Sequence, residues 1–234
     1  MIETVMGLTP AFDLLVIDDG SPDGTADFVK AAQQNPEYAG RVHLEQREGK
    51  LGLGTAYIHG FRWALDRQYQ YIFEMDCDFS HNPQDLPILW EACHDKGAHL
   101  AVGSRYVQGV NVVNWPMGRV LMSYFASKYV KFITGLPVND ATAGFICYTR
   151  EVLETLLNEK IRFIGYAFQI EMKFLAWKYG FNLAEVPIIF TDRTRGESKM
   201  SMKIFREAIF GVIQMKIGSF FKSYHRPLPE TAEK

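Results

Sequence analysis

Residues 13–34 read DLLVIDDGSPDGTADFVKAAQQ. Four consecutive apolar residues, Leu14 to Ile17, make a run of strand length between two aspartates. Asp18-Asp-Gly-Ser-Pro-Asp-Gly24 then carries the residues of a turn, each with its own reason to bend the chain. Thr25 to Gln34 reads as a helix, stopped by Asn35-Pro36. The stretch is thus a buried strand passing through an acidic turn into a helix, and the theme repeats downstream. Arg41 to Gln46 reads as a second strand. Leu53 to Arg67 reads as a helix with Tyr57, Phe61, Ala64 and Leu65 on one face. Tyr71 to Met75 is a third apolar run, ending in Asp76-Cys77-Asp78. A helix over Gln84 to Asp95 and a strand over His99 to Val102 follow. Strands alternating with helices predict an α/β fold with a largely parallel sheet.

The second half is less regular. Gly118 to Ile133 sets Val120, Leu121, Tyr124, Phe125, Tyr129 and Phe132 at helical spacing. Phe145 to Thr149 reads as a strand, and Glu151 to Asn158 and Tyr166 to Tyr179 as helices. Leu183 to Phe190 is a strand interrupted by Pro187, which suits a sheet edge because proline cannot donate to a ladder. Ser201 to Ile217 is a final amphipathic helix. With no repeat and no low-complexity linker, residues 1–226 are expected to form one domain, with 227–234 as a frayed tail.

The 234 residues carry 25 Lys and Arg against 27 Asp and Glu, a net charge of −2. That balance argues against a nucleic-acid partner, which favours a basic excess. Three cysteines, Cys77, Cys93 and Cys147, show no paired spacing; they fit a reducing compartment and read as buried small hydrophobes. No signal-like start is present, and the best apolar run, Ala208 to Met215, is far shorter than the roughly 20 residues a spanning helix needs. The chain is therefore expected not to cross a bilayer.

Two acidic turns stand at strand ends, where parallel sheets hold their ligands. A carboxylate at Asp18 can accept hydrogen bonds from a nucleobase, or simply close the turn. Asp76 and Asp78, at i and i+2, can approach one divalent ion, and hard oxygen ligands suit Mg²⁺ or Mn²⁺ on a diphosphate. Arg193, Arg195 and Lys199 flank Gly196 and can clamp phosphate oxygens, or form a solvated charged turn. Arg105 and Arg119 carry the same two readings. Gly49, Gly52 and Gly54 match neither a dinucleotide fingerprint nor a P-loop, so they read as a flexible turn and helix start. His43 and His99 read as structural.

Seven segments in order, VIDDGSPDGTAD, GLGTAY, EMDCDFSHNP, VGSRYV, NDATAGF, GYAFQIEM and FTDRTRGESKMS, resemble the dolichol-phosphate (polyprenol-phosphate) mannosyltransferases of the family 2 glycosyltransferases. The resemblance runs from about Phe12 to about Met202. It implies a GT-A fold, a GDP-mannose donor, a divalent cation and a polyprenyl-phosphate acceptor. By position it implies that Val16 and Asp18 hold the base, and that Asp76 and Asp78 hold the metal, with Cys77 between them. Arg105, Arg193 and Lys199 match residues on the phosphates, while Arg119 and Ser198 fall near the acceptor. Asp140 falls where related enzymes place a general base. The resemblance also implies an opening strand ending in Pro-Thr-Tyr-Asn-Glu, whereas Met1 to Leu8 is similar to the helix after it. The expected sheet therefore lacks that strand.

The implied reaction is inverting transfer of mannose to a lipid phosphate, with Asp78, Asp140 and Arg193 as catalytic residues. An anionic phosphate needs no strong base, which leaves Asp140 either a base or an orienting group. Alternatives are a sister enzyme using UDP-glucose or a UDP-amino sugar, an inactive remnant, and a phosphohydrolase with Asp76 as nucleophile. A lipid acceptor also predicts peripheral attachment to the cytoplasmic face of a membrane. Two segments combine apolar residues with a basic edge: Gly118 to Ile133, and Ser201 to Phe221 with Lys222 just beyond.

Overall fold

The computed structural model describes residues 1–38, 40–165, 167–192 and 202–226, with side chains of 202–207 left aside. The alternation expected from the sequence is present. Strand β1 (Leu14–Asp18) leads to α2 (Thr25–Gln33), β2 (Val42–Gln46) to α3 (Leu53–Asp66), and β3 (Tyr71–Glu74) to α4 (Leu86–His94). Ahead of them lies a short helix, α1 (Ile2–Met6), whose Ile2, Val5 and Met6 join Val29, Val42, Leu86 and Leu89 in one core cluster. Next come β4 (Leu100–Ser104), α5 (Met117–Thr134), β6 (Ile146–Thr149), α6 (Arg150–Leu157) and α7 (Ala167–Lys178). The described chain closes with β7 (Leu183–Pro187) and α8 (Met202–Gly218).

Two elements escaped the sequence reading. A two-residue strand, β5 (Val112–Val113), is too short to show a period, and it pairs parallel with β8 (Phe190–Thr191). The run from Leu183 to Phe190 therefore ends one strand at Pro187 and begins another. β7 is an edge, as the proline demands.

The sheet is less uniform than the expected parallel one. β1 pairs with β2, and β4 with β7, in parallel. β6 runs antiparallel to both β3 and β4, in the order β3-β6-β4-β7. Its reversal is set by the return of the chain from α5. β1 and β3 are not hydrogen-bonded to each other, so the β1–β2 pair stands apart from the four-stranded sheet. Leu14 to Ile17 are accordingly only partly buried, although their apolar run suits a fully covered strand.

Helix α7 lies at the centre. Residues Ala167 to Ala176 are all buried, and they divide two core clusters, one with Phe61, Leu100, Ile146 and Tyr148 and one with Val130, Leu136 and Val212. Such a helix cannot show an amphipathic stripe, and its polar members, Gln169, Glu171 and Lys173, must find partners inside.

Candidate active site

The carboxyl ends of β1 and β3 carry the two acidic turns. Asp18, 3% exposed, accepts the Ser21 N–H through both carboxylate oxygens, at 3.1 and 3.4 Å. Val16, on the same strand, sits opposite Leu44. The neighbouring Asp19 is held bidentately by Arg47, with Nε at 2.6 Å and Nη2 at 2.7 Å. Arg47 also donates to Thr55 Oγ1 at 3.0 Å, and Thr55 donates in turn to the Gly52 carbonyl at 2.7 Å. One guanidinium thus ties the first acidic turn to the glycine segment. That segment is no flexible turn: Gly54 N–H donates to Ile164 O at 2.9 Å, and a Cβ on Gly54 would lie 2.7 Å from the Phe168 ring. Close approach requires Gly54 and tightens Gly52, where a Cβ would lie 3.3 Å from Ile164 O, whereas Gly49 has open space and a positive φ of 101°.

At the end of β3, Asp78 Oδ1 accepts the Ser80 N–H at 3.0 Å, and the Tyr57 hydroxyl donates to Asp76 Oδ1 at 3.4 Å. Burial, then the Asp76 charge, lifts the Tyr57 pKa well above its usual value, so Tyr57 stays a neutral donor. His81, buried between the rings of Phe145 and Phe190, accepts the Asp76 N–H at Nδ1, 3.3 Å away. Burial and the Arg105 charge push its pKa down to about 4, so it is a neutral acceptor at physiological pH. Cys77 is exposed, unlike Cys93 and Cys147, which corrects the expectation that all three thiols are buried. Partial desolvation, then the carboxylates of Asp76 and Asp78, raise its pKa, with a smaller contribution from Asp23.

Arg105 and Asp140 form the buried heart of the site. Asp140, fully buried, accepts the Arg105 backbone N–H at 2.9 Å, Nε at 2.7 Å and Nη2 at 2.6 Å. Burial raises the Asp140 pKa, but the charge and hydrogen bonds of Arg105 outweigh it and hold the carboxyl below its usual value. Burial likewise opposes the Arg105 charge, and Asp140 reverses that, leaving its pKa raised. Glu185 on β7 supports the turn, accepting Asn139 N at 2.8 Å, Asn139 Nδ2 at 2.8 Å, Asp140 N at 3.0 Å and Ser104 Oγ at 2.7 Å.

Trp115 joins this centre to a second guanidinium. Arg105 lies 5.5 Å and Arg119 4.2 Å from its ring centroid. Arg119 pairs with Asp192 at 2.8 Å. Thr191 N–H donates to Ser80 O at 3.1 Å, which brings the strand before Asp192 against the second acidic turn. The second acidic turn with Asp76 and Asp78, the Arg105–Asp140 pair and Arg119 therefore converge on one region, while Asp18 stands at the end of β1. Arg193, Ser198 and Lys199 lie outside the described residues, directly after Asp192.

The donor set fits a divalent ion that takes part of its shell from a ligand. Asp76 and Asp78 supply hard oxygens two residues apart, and among the described residues no three His, Cys, Asp or Glu side chains form a ligand group. Two protein carboxylates completed by substrate phosphates are a usual arrangement for Mg²⁺ and Mn²⁺.

The helices expected at a membrane pack together by one face. The Tyr129 hydroxyl donates to Ile209 O at 3.0 Å, and Lys216 Nζ to Thr134 O at 3.2 Å. Val212 and Met215 are buried in one core cluster with Val130 and Leu136. Leu121, Phe125 and Phe132 on α5 are exposed, as are Phe210, Ile213 and Ile217 on α8 and Phe220 and Phe221 beyond it. Among the described residues no helix is long and apolar enough to cross a membrane. Phe205, Lys203 and Arg206 fall outside the described side chains.

Residues 1–157 match the model of the family described as Glycosyl transferase family 2. The chain is 46% identical over 209 residues to a polyprenol monophosphomannose synthase of Mycolicibacterium smegmatis, covering 89% of this chain and 77% of that protein. It is 44% identical over 204 residues to an undecaprenyl-phosphate mannosyltransferase of Micrococcus luteus, covering 87% of this chain and 82% of that one. Among solved structures, glucosyl-3-phosphoglycerate synthase of Mycobacterium tuberculosis, in complex with Mn²⁺, UDP-glucose and phosphoglyceric acid, superposes with a TM-score of 0.61. It is 16% identical, with 98% of this chain and 75% of that chain covered. That likeness bears on the fold alone, which is of the GT-A type.

Proposed function

The chain belongs to glycosyl transferase family 2, and we propose that within it the protein transfers mannose from GDP-mannose to a polyprenyl phosphate with inversion. The observation that carries the reading is that the Arg105 and Arg119 guanidiniums both lie against the Trp115 ring, while the strand before Asp192, the partner of Arg119, is hydrogen-bonded to the turn that bears Asp76 and Asp78. A site joining a sugar diphosphate to a lipid phosphate must gather two anions against their repulsion, and paired guanidiniums are suited to that. Both relatives are named for attaching mannose to a polyprenyl carrier.

In the proposed step an oxygen of the acceptor phosphate attacks the anomeric carbon. The new carbon–oxygen bond forms as the bond to the GDP diphosphate breaks, and the electron pair leaves with GDP. Asp76 and Asp78 would hold Mg²⁺ or Mn²⁺, which when bound supplies charge neutralisation to the departing diphosphate. Val16 and Asp18 would seat the guanine. Arg105, with Arg193 and Lys199, would hold phosphate oxygens, and Arg119 with Ser198 would receive the acceptor. Asp140 serves by orienting Arg105. Both its oxygens are occupied by that side chain, and its depressed pKa makes it a poor base. The exposed apolar residues of α5 and of the α8 region, beside Lys128 and Lys222, would rest on an anionic leaflet and bring the site to its lipid.

The test is a donor panel of GDP-mannose, UDP-glucose and UDP-N-acetylglucosamine, each radiolabelled in the sugar, with a polyprenyl phosphate and Mg²⁺ or Mn²⁺. Label entering the organic phase from GDP-mannose alone is expected. Transfer from a UDP-sugar instead would assign the chain to a sister activity.

A further inference from the structure

Lys173 is a fully buried cation that the reaction as described does not use. It sits on α7, the helix buried on every side, where a methionine or leucine would pack at no cost in desolvation. Its ammonium donates to Ala143 O at 2.6 Å and to Gln169 O at 2.9 Å. The second bond stays within its own helix. The first crosses to the turn that carries Asp140, since Ala143 N–H donates to Asp140 O at 3.4 Å. Burial lowers the Lys173 pKa to about 8, while Glu74 and Asp140 pull it upward and Arg105 downward. Asp140 is thus paired with one buried cation, Arg105, while a second, Lys173, holds the carbonyl at the end of its turn.

We propose that Lys173 is a positioning residue: its hold on the Ala143 carbonyl fixes the Asp140–Ala143 turn, and through Asp140 it sets how Arg105 is offered to a phosphate. A buried charge is tolerated where removing it would leave other charges unpaired, and here the next charge is the one that holds Arg105. That the phosphate belongs to a sugar-transfer substrate rests on the proposed function; the link from Lys173 to Arg105 does not.

Trp115, 5.5 Å from the Arg105 guanidinium, is a reporter of that link that needs no substrate. The full chain labelled with 5-fluorotryptophan has four ¹⁹F positions, Trp63, Trp90, Trp115 and Trp177, and a Trp115→Phe sample assigns the signal of interest. In Lys173→Met the Trp115 signal is expected to shift or broaden while Trp63 and Trp90, on α3 and α4, stay in place. In the transfer assay kcat is expected to fall about tenfold, with donor KM within about twofold. An unmoved Trp115 signal in the folded variant would overturn the proposal, whatever the activity. Should Lys173→Met fail to fold, the paired change Glu74→Leu with Lys173→Met removes this ionisable group together with its buried neighbour Glu74, and the same signal decides. If neither variant folds, Lys173 is a folding residue and the proposal falls. A shifted Trp115 signal in Lys173→Met, where the parent chain transfers no sugar, would uphold the positioning role and reject the proposed function instead.

Discussion

Asp140 accepts three hydrogen bonds from Arg105 and is closed to solvent, so its removal exposes a buried charge rather than a spare base. Asp140→Asn is expected to cost about 3–5 kcal/mol of stability, measured by urea unfolding. Its pKa is lowered in the folded chain, so the ion pair contributes fully above the ordinary aspartate value of 3.8 and is lost as pH falls through the lower folded value. The stability gap between parent and variant should therefore be flat from about pH 5 to 8 and close only under strong acid. A gap that closes near pH 6 would contradict the pairing. Asp78 stands in a more open turn, and Asp78→Asn should abolish turnover without lowering the melting temperature. EDTA should silence the parent in the same assay; an unchanged rate in EDTA would remove the metal from Asp76 and Asp78. These residues were legible because each ends an apolar run. Arg47 and Glu185 were not, since their partners lie 28 and 46 residues away and only the fold makes the pairs. The choice between base and orienter at Asp140 stayed open in the sequence for the same reason, because Arg105 is 35 positions upstream.

At the level of elements, strands and helices were legible wherever one face meets water or a run is bounded by turn residues. The two-residue β5 has no period to read, and the reversed direction of β6 is set by chain return rather than by composition. Glycine at 54 reads in sequence as part of a flexible turn and helix start; it lies in the first turn of α3, where it is a packing contact. Gly54→Ala should destabilise by about 1–3 kcal/mol through the Phe168 ring, read as a lower urea midpoint with unchanged slope. An unaffected midpoint would mean that the ring can move aside. The segment after α8 makes a separate prediction. Phe220 and Phe221 are 71% and 88% exposed, and changing both to Ser should reduce flotation with anionic liposomes. Equal flotation of parent and variant would shift the membrane contact to α5.

Across the whole molecule, the β1–β2 pair and the four-stranded sheet share a core without sharing hydrogen bonds. Leu14 to Ile17 of β1 are only partly buried there. The site itself depends on less than the whole sheet, since its charged groups are held by β3, β4, β7 and the segments around them. The central claim is that a phosphate oxygen attacks the anomeric carbon of GDP-mannose directly from this site. It is tested most directly by proton and phosphorus NMR of the purified lipid product. A mannosyl phosphate of β configuration, inverted from the α-linked donor, is predicted. An α-linked product, or a sugar joined other than through phosphate, would contradict it.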